Sequence, residues 1–251
     1  MIAKLKTSFL YLLMLLPMHV FAAPIYYYPY LSGTLGAGQG NLSTSNPSIR
    51  YAGLLDQYPL ASQYSKSILY GLNGGVQFAN EEKCFAIDLG LGIYSEPNYN
   101  YRGSLNETDD ATIMLANYRF NVSTLRLMVE AQFNIVLGSF SPFISGGLGA
   151  ARNYANNYSE SPNTSSLYIP LPPFQSQTTT QFAYQLGGGV SYLFNTTKKP
   201  LAYKQERVSL GYRYVNSGQV PFGTRGSVYP HTLNVGNLWQ NEIYFSYTHL
   251  F

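Results

Sequence analysis

The sequence is poor in charge. Asp, Glu, Lys and Arg make up 11% of its 251 residues, against roughly 25% in soluble domains. An ordinary soluble globule, whose exterior carries its charged side chains, is a poor fit. Cysteine is almost missing: Cys84 stands alone, which excludes an intrachain disulfide and a cysteine-built metal site. It reads as a small buried residue. Long apolar runs are missing after residue 23, and nothing approaches the ~18 uninterrupted residues of a membrane helix. A mature chain of this kind can enter a bilayer only as a closed barrel, because open backbone groups are not tolerated in lipid. Basic clusters are missing beyond Lys198–Lys199, and the formal charge of +3 falls to +1 if Lys4 and Lys6 are removed with a leader. No nucleic-acid partner is expected.

What the chain has is aromatic and small. Aromatics make up 16% of it, with 24 Tyr and 14 Phe beside 23 Gly. That mixture suits apolar side chains facing lipid with aromatics at the two interfaces. The opening "MIAKLK" is basic, "SFLYLLMLLPMHV" is apolar but short, and Val20–Ala22 offers a small residue for cleavage. Residues 1–22 therefore read as a secretory signal peptide, with 23–251 as the mature domain.

Eight segments alternate with the two-residue period of strands: 28–40, 66–78, 84–94, 118–134, 142–154, 181–194, 206–216 and 238–251. The third is the clearest, with Phe85, Ile87, Leu89, Leu91 and Ile93 against Ala86, Asp88, Gly90 and Gly92. In the fourth, Leu125, Leu127, Val129 and Phe133 oppose Arg126, Met128, Glu130 and Gln132. Glycine blurs the facing of the fifth. Long connections (41–65, 95–117, 155–180, 217–237) alternate with short or middling ones (79–83, 135–141, 195–205). The expected fold is all-β, an eight-stranded antiparallel transmembrane β-barrel with four long extracellular loops. A soluble barrel of lipocalin type would invert the polarity, with the apolar stripe inside. The loops read as surface; Leu54, Leu55 and Tyr58 in the first are expected to pack on the barrel rim, and 159–180, rich in Ser, Thr and Pro, to pack little.

The chain closes on "YFSYTHLF", an apolar alternating end with an aromatic last residue. Together with the leader, the eight runs and the loop rhythm, this resembles the OmpA-type eight-stranded outer-membrane barrels of Gram-negative bacteria, over essentially the whole mature chain. The resemblance implies that 243–251 closes the barrel against 28–40. It also implies that Ile243, Phe245, Tyr247 and Phe251 form the signal read by the barrel-assembly machinery, with His249 a departure from the pattern. The periplasmic domain of OmpA itself is not expected, since nothing follows the barrel.

Five charges fall on the inward stripe: Asp88, Arg126, Glu130, Arg213 and Glu242. In so narrow a lumen side chains fill the space, and buried charges must be paired. A structural ion-pair network is the first reading; a narrow pore for ions or small solutes is the alternative. Some barrels of this kind modify lipid A with a His/Ser/acid constellation. Beyond the leader only His231 and His249 are available, and neither has the neighbours that chemistry needs. Glu107, Asp109 and Asp110 read as a solvated acidic patch, not a metal site. A non-enzymatic protein without cofactors is expected, anchored in outer-membrane lipid and lipopolysaccharide, with surface loops for envelope structure, adhesion or a host surface ligand.

Overall fold

The computed structural model describes residues 25–44, 46–51, 54–80, 84–108, 112–163, 172–194, 205–225 and 229–251. The leader assigned to 1–22 lies outside them. Ten strands follow in chain order: β1 (Ile25–Leu42), β2 (Ser48–Tyr51), β3 (Leu54–Gln57), β4 (Tyr64–Asn80), β5 (Phe85–Thr108), β6 (Thr112–Ile135), β7 (Phe140–Pro162), β8 (Gln177–Phe194), β9 (Gln205–Arg225) and β10 (Tyr229–Leu250). Eight of them form a closed antiparallel ring, β1-β4-β5-β6-β7-β8-β9-β10 and back to β1. Closure runs from Tyr30 opposite Leu250 to Leu42 opposite Leu238, as the sequence implied for 243–251 and 28–40. The ring leaves no free edge, which is what a membrane requires of a sheet. The short strands β2 and β3 form a hairpin whose β3 pairs with the far end of β5, Leu55 opposite Thr108.

The predicted apolar stripes face outward. Leu91, Leu127, Val129, Ile144, Leu186, Ile243 and Phe245 are among the exposed large side chains. Ile144, Leu148 and Tyr154 settle the facing of the fifth run: they point out, while Phe143 and Ala151 point in. Aromatic pairs ring both borders of this belt. Phe85–Phe133, Phe140–Tyr192 and His249–Phe251 lie at the end holding β1's start and β10's finish, here called the lower end. Trp239 stacks on Tyr214 and meets Tyr184 edge-on at the upper border. Interfacial aromatics with an outward apolar band between them are what a bilayer selects.

The strands outrun the belt. On β6 the outward apolar positions run from Leu125 to Ile135, matching the ~9–11 residues that cross a bilayer. Yet β5 and β6 each have 24 residues. Among the described residues, the segments 95–117, 155–180 and 217–237, expected as loops, are therefore largely strand, continuing the barrel upward. They are also not mere surface. Tyr99, Tyr101, Leu105, Phe120, Tyr158, Phe174, Phe222, Leu233 and Val235 form an inward core in the upper half. Polarity reverses between the two zones: apolar outside and polar inside within the belt, apolar inside and polar outside above it. Each zone follows its solvent.

Candidate functional site

The lumen of the belt zone is a stack of ion pairs. All five charges expected on the inward stripe lie there; Arg126, Glu242, Arg213 and Glu130 form one chain of contacts, while Asp88 pairs separately with Arg207. At the lower level the Asp88 carboxylate accepts from Arg207 (2.7 Å), Gln77 (2.7 Å) and Asn134 (3.2 Å). In the middle, Glu130 accepts from the Tyr94 hydroxyl at 2.8 Å and from the side-chain amides of Asn73 and Gln185. It stands 3.8 Å from the Arg213 guanidinium. Above it, Arg213 donates Nε to Glu242 Oε2 at 2.8 Å. The other Glu242 oxygen accepts from Arg126 Nη2 at 2.5 Å, and that same nitrogen reaches Glu96 at 3.2 Å. The Arg213 guanidinium also lies 4.1 Å from the ring centre of Tyr94 and 5.1 Å from that of Tyr244.

This layer is sealed. The side chains of Glu96, Arg126 and Glu242 have 0% exposure. Removing such charges from water costs several kcal/mol each unless every one finds a partner; here each carboxylate touches at least one guanidinium. The cavity between the Asp88 and Glu130 levels measures about 50 Å³, room for a few waters. A second, of about 100 Å³, lies at the lower mouth beside Arg207, Gln77 and Asn134. Two glycines make room for the stack. A Cβ on Gly71 would sit 2.3 Å from the Tyr94 ring, and one on Gly211 2.4 Å from the Tyr244 ring.

Sequence reasoning missed two members. Arg207 shares the stripe of Ser209, Gly211 and Arg213, so the signal was present at the strand's first turn inward. Glu96 lies just past the point where β5 was expected to end. A third assembly, in the upper half, was missed because all its members fall in expected loops. Arg225 donates Nε to the Pro172 carbonyl (2.8 Å) and Nη1 to the Tyr58 hydroxyl (3.3 Å), and pairs with Glu160. Its guanidinium lies 4.8 Å from the Phe174 ring centre. Tyr158 donates to Glu160 at 2.7 Å; burial, then the Glu160 carboxylate, holds its hydroxyl protonated well above the usual tyrosine range. Tyr58, expected at the rim, is buried in this core.

His249 lies on the outer face of β10, with Nδ1 3.9 Å from Glu206. Ile243, Phe245 and Tyr247 line the same face, and Phe251 donates its amide to the Pro29 carbonyl at 3.0 Å. The side chain of His231, and Asp109 and Asp110, lie outside the described residues.

Residues 8–240 match the family model described as "Outer membrane protein beta-barrel domain". The chain belongs to that family. Its barrel is an outer-membrane barrel, with the lower end periplasmic and the long strand extensions extracellular. No curated protein sequence matches the chain. Among solved structures, it is similar to Neisserial surface protein A (10% identity, 88% of this chain and 95% of that one, TM-score 0.41). It is also similar to the outer membrane protein OprG of Pseudomonas aeruginosa (14%, 89% and 97%, 0.40). The outer membrane protease OmpT of Escherichia coli gives 8% identity, 90% and 95% coverage, and a TM-score of 0.39.

Proposed function

We infer that this outer-membrane barrel is a non-enzymatic, non-conducting anchor that holds a stiff β-structured platform above the bilayer for envelope contacts, adhesion or a host surface ligand. The observation that carries the reading is the use of the strands: those of 21–24 residues continue far beyond the membrane and are filled with aromatic core, clasped at the top by Arg225. Material of that kind serves what lies outside. A conducting pore needs an open or openable lumen, and the Glu96–Arg126–Glu242 layer leaves no exposed side-chain surface. Lipid A chemistry needs a histidine beside a hydroxyl nucleophile, and His249 faces Glu206 on the outer wall. No cofactor and no nucleic-acid partner enter the reading. Outer-membrane lipid, lipopolysaccharide and, during biogenesis, the assembly machinery reading Ile243, Phe245, Tyr247 and Phe251 are its partners.

Two experiments test it. The refolded protein in a planar bilayer should show no discrete conductance; steps altered by Arg126→Ala or Glu130→Ala would put the pore first. Ser104 lies opposite Asn117, so residues 105–116 can be replaced by a tight turn. Cells carrying that shortened hairpin should lose attachment to host surfaces while the barrel still assembles. Unchanged attachment of expressing cells would remove the platform role.

A further inference from the structure

Among the described residues, the outer wall above the belt is electrically one-sided. Lys66 on β4, Arg102 on β5, Arg119 on β6 and Arg152 on β7 are all exposed, on four consecutive strands of the ring. Arg102 lies directly opposite Arg119. Like charges in that position destabilise a sheet, and none of the ion pairs found among the described residues includes either. Arg119 is instead aimed sideways, its Nε donating to Ser159 Oγ at 3.1 Å. Open grooves of about 470 and 720 Å³ flank the pair, lined further by Asn100, Asn121, Ser104 and Asn117. The one described carboxylate at either groove, Glu160, is turned inward onto Arg225.

We propose that this wall is a binding site for the phosphate-bearing saccharide of lipopolysaccharide in the protein's own outer leaflet, with Arg102 and Arg119 as its paired phosphate clamp. Guanidinium forks match phosphate oxygens two bonds at a time. Height selects the occupant. Arg152 stands opposite Leu125, the last outward apolar residue of β6, so the cationic strip begins at the border of the lipid. Arg119, six positions further up β6, stands about 15 Å higher, at ~3.3 Å per residue on a strand tilted ~40°. A strip that starts at the lipid border and faces sideways meets the saccharides of its own leaflet first. Serine and asparagine between the cations supply hydrogen bonds for sugar hydroxyls.

The inference rests on the outer-membrane placement and not on the role inferred for the hairpin tips; the chain lacking 105–116 keeps Arg102 and Arg119 and should bind as the full chain does. The test is titration of the purified protein in mild detergent, followed by native mass spectrometry. The probes are rough lipopolysaccharide, the same material with its phosphates removed, and a heparin oligosaccharide. Phosphorylated lipopolysaccharide should bind, and its dephosphorylated form at least tenfold more weakly. R102Q/R119Q should weaken binding by about tenfold for each arginine lost, while R102K/R119K keeps most of it. In ligand-free detergent R102Q/R119Q should melt no lower than the unaltered protein, because it relieves a repulsion; a purely structural role predicts the opposite. Binding indifferent to phosphate or to R102Q/R119Q overturns the proposal. So does a site that takes heparin and ignores lipopolysaccharide, which would make it a receptor for soluble sulfated glycans.

Discussion

Single residues hold this lumen together in ways that can be separated. Arg126 is shared by Glu96 and Glu242, and all three are wholly buried. Arg126→Ala strands two carboxylates that face each other across its guanidinium, a loss of about 3–5 kcal/mol. Urea titration followed by the shift between unboiled and boiled mobility should show a lower midpoint, whose fall multiplied by the slope m gives that loss. Arg126→Ala with Glu96→Gln and Glu242→Gln should recover much of it, since the stranded charges leave too. Gly71 acts through shape alone. With a Cβ 2.3 Å from the Tyr94 ring, Gly71→Ala must displace the ring that donates to Glu130 and lies under Arg213. The expected cost is about 1–3 kcal/mol, and Gly71→Ala with Tyr94→Leu should cost less than the two changes taken singly and added.

At the scale of the strand, the alternation of the sequence carries most of the membrane zone. The eight runs, the seam between β1 and β10 and the five lumen charges were legible because lipid outside and polar lumen inside impose one uniform two-residue code. The upper zone was not, because there the code changes sign. On β5 the large apolar residues of both zones sit mostly at odd positions: Leu89, Leu91 and Ile93 face lipid, then Tyr99, Tyr101 and Leu105 face inward. A register shift between Glu96 and Tyr99 turns the stripe from one side to the other, as bulges do. On β6, without a shift at that height, the apolar residues change phase instead, from Leu125 to Val122 and Phe120. Read with a single polarity, both strands seem to end where they merely leave the membrane.

The β2–β3 hairpin is open to pH. Burial, followed by the Glu107 carboxylate directly opposite in register, raises the Asp56 pKa above its ordinary value. A carboxyl raised in the folded state favours folding while it is protonated; that contribution is complete below its unfolded pKa and disappears as pH rises through the folded one. Docking of 54–57 on β5 should therefore loosen with rising pH across the upper carboxylate range. Amide exchange of these residues, corrected for its intrinsic pH dependence, should show the loosening, and Asp56→Asn should flatten it. A profile that tightens with pH would mean that Asp56 is stabilised as an anion instead.

The molecule as a whole is two cores on one ring of strands, and the solvents around them differ. Lipid adds no hydrophobic drive to the belt, whose interior is held by ion pairs; water drives the upper core, where aromatic burial dominates. Independent cores predict separable stability. Arg225 is the place to pull them apart, because it ties Tyr58 from the connection 41–65 to Pro172 and Glu160 from the connection 155–180. Arg225→Met keeps the side-chain stem and removes the bonds, which at ~1.5–3 kcal/mol for a charged hydrogen bond should speed local opening by at least tenfold. Exchange should rise at 58–60, 172–176 and 222–225. Below Tyr94 and Arg126 it should stay as it was, along with the heat-dependent mobility of the barrel. Equal acceleration in both halves would mean that the continuous strands couple the two cores into a single unit, and that the platform cannot yield without loosening its anchor.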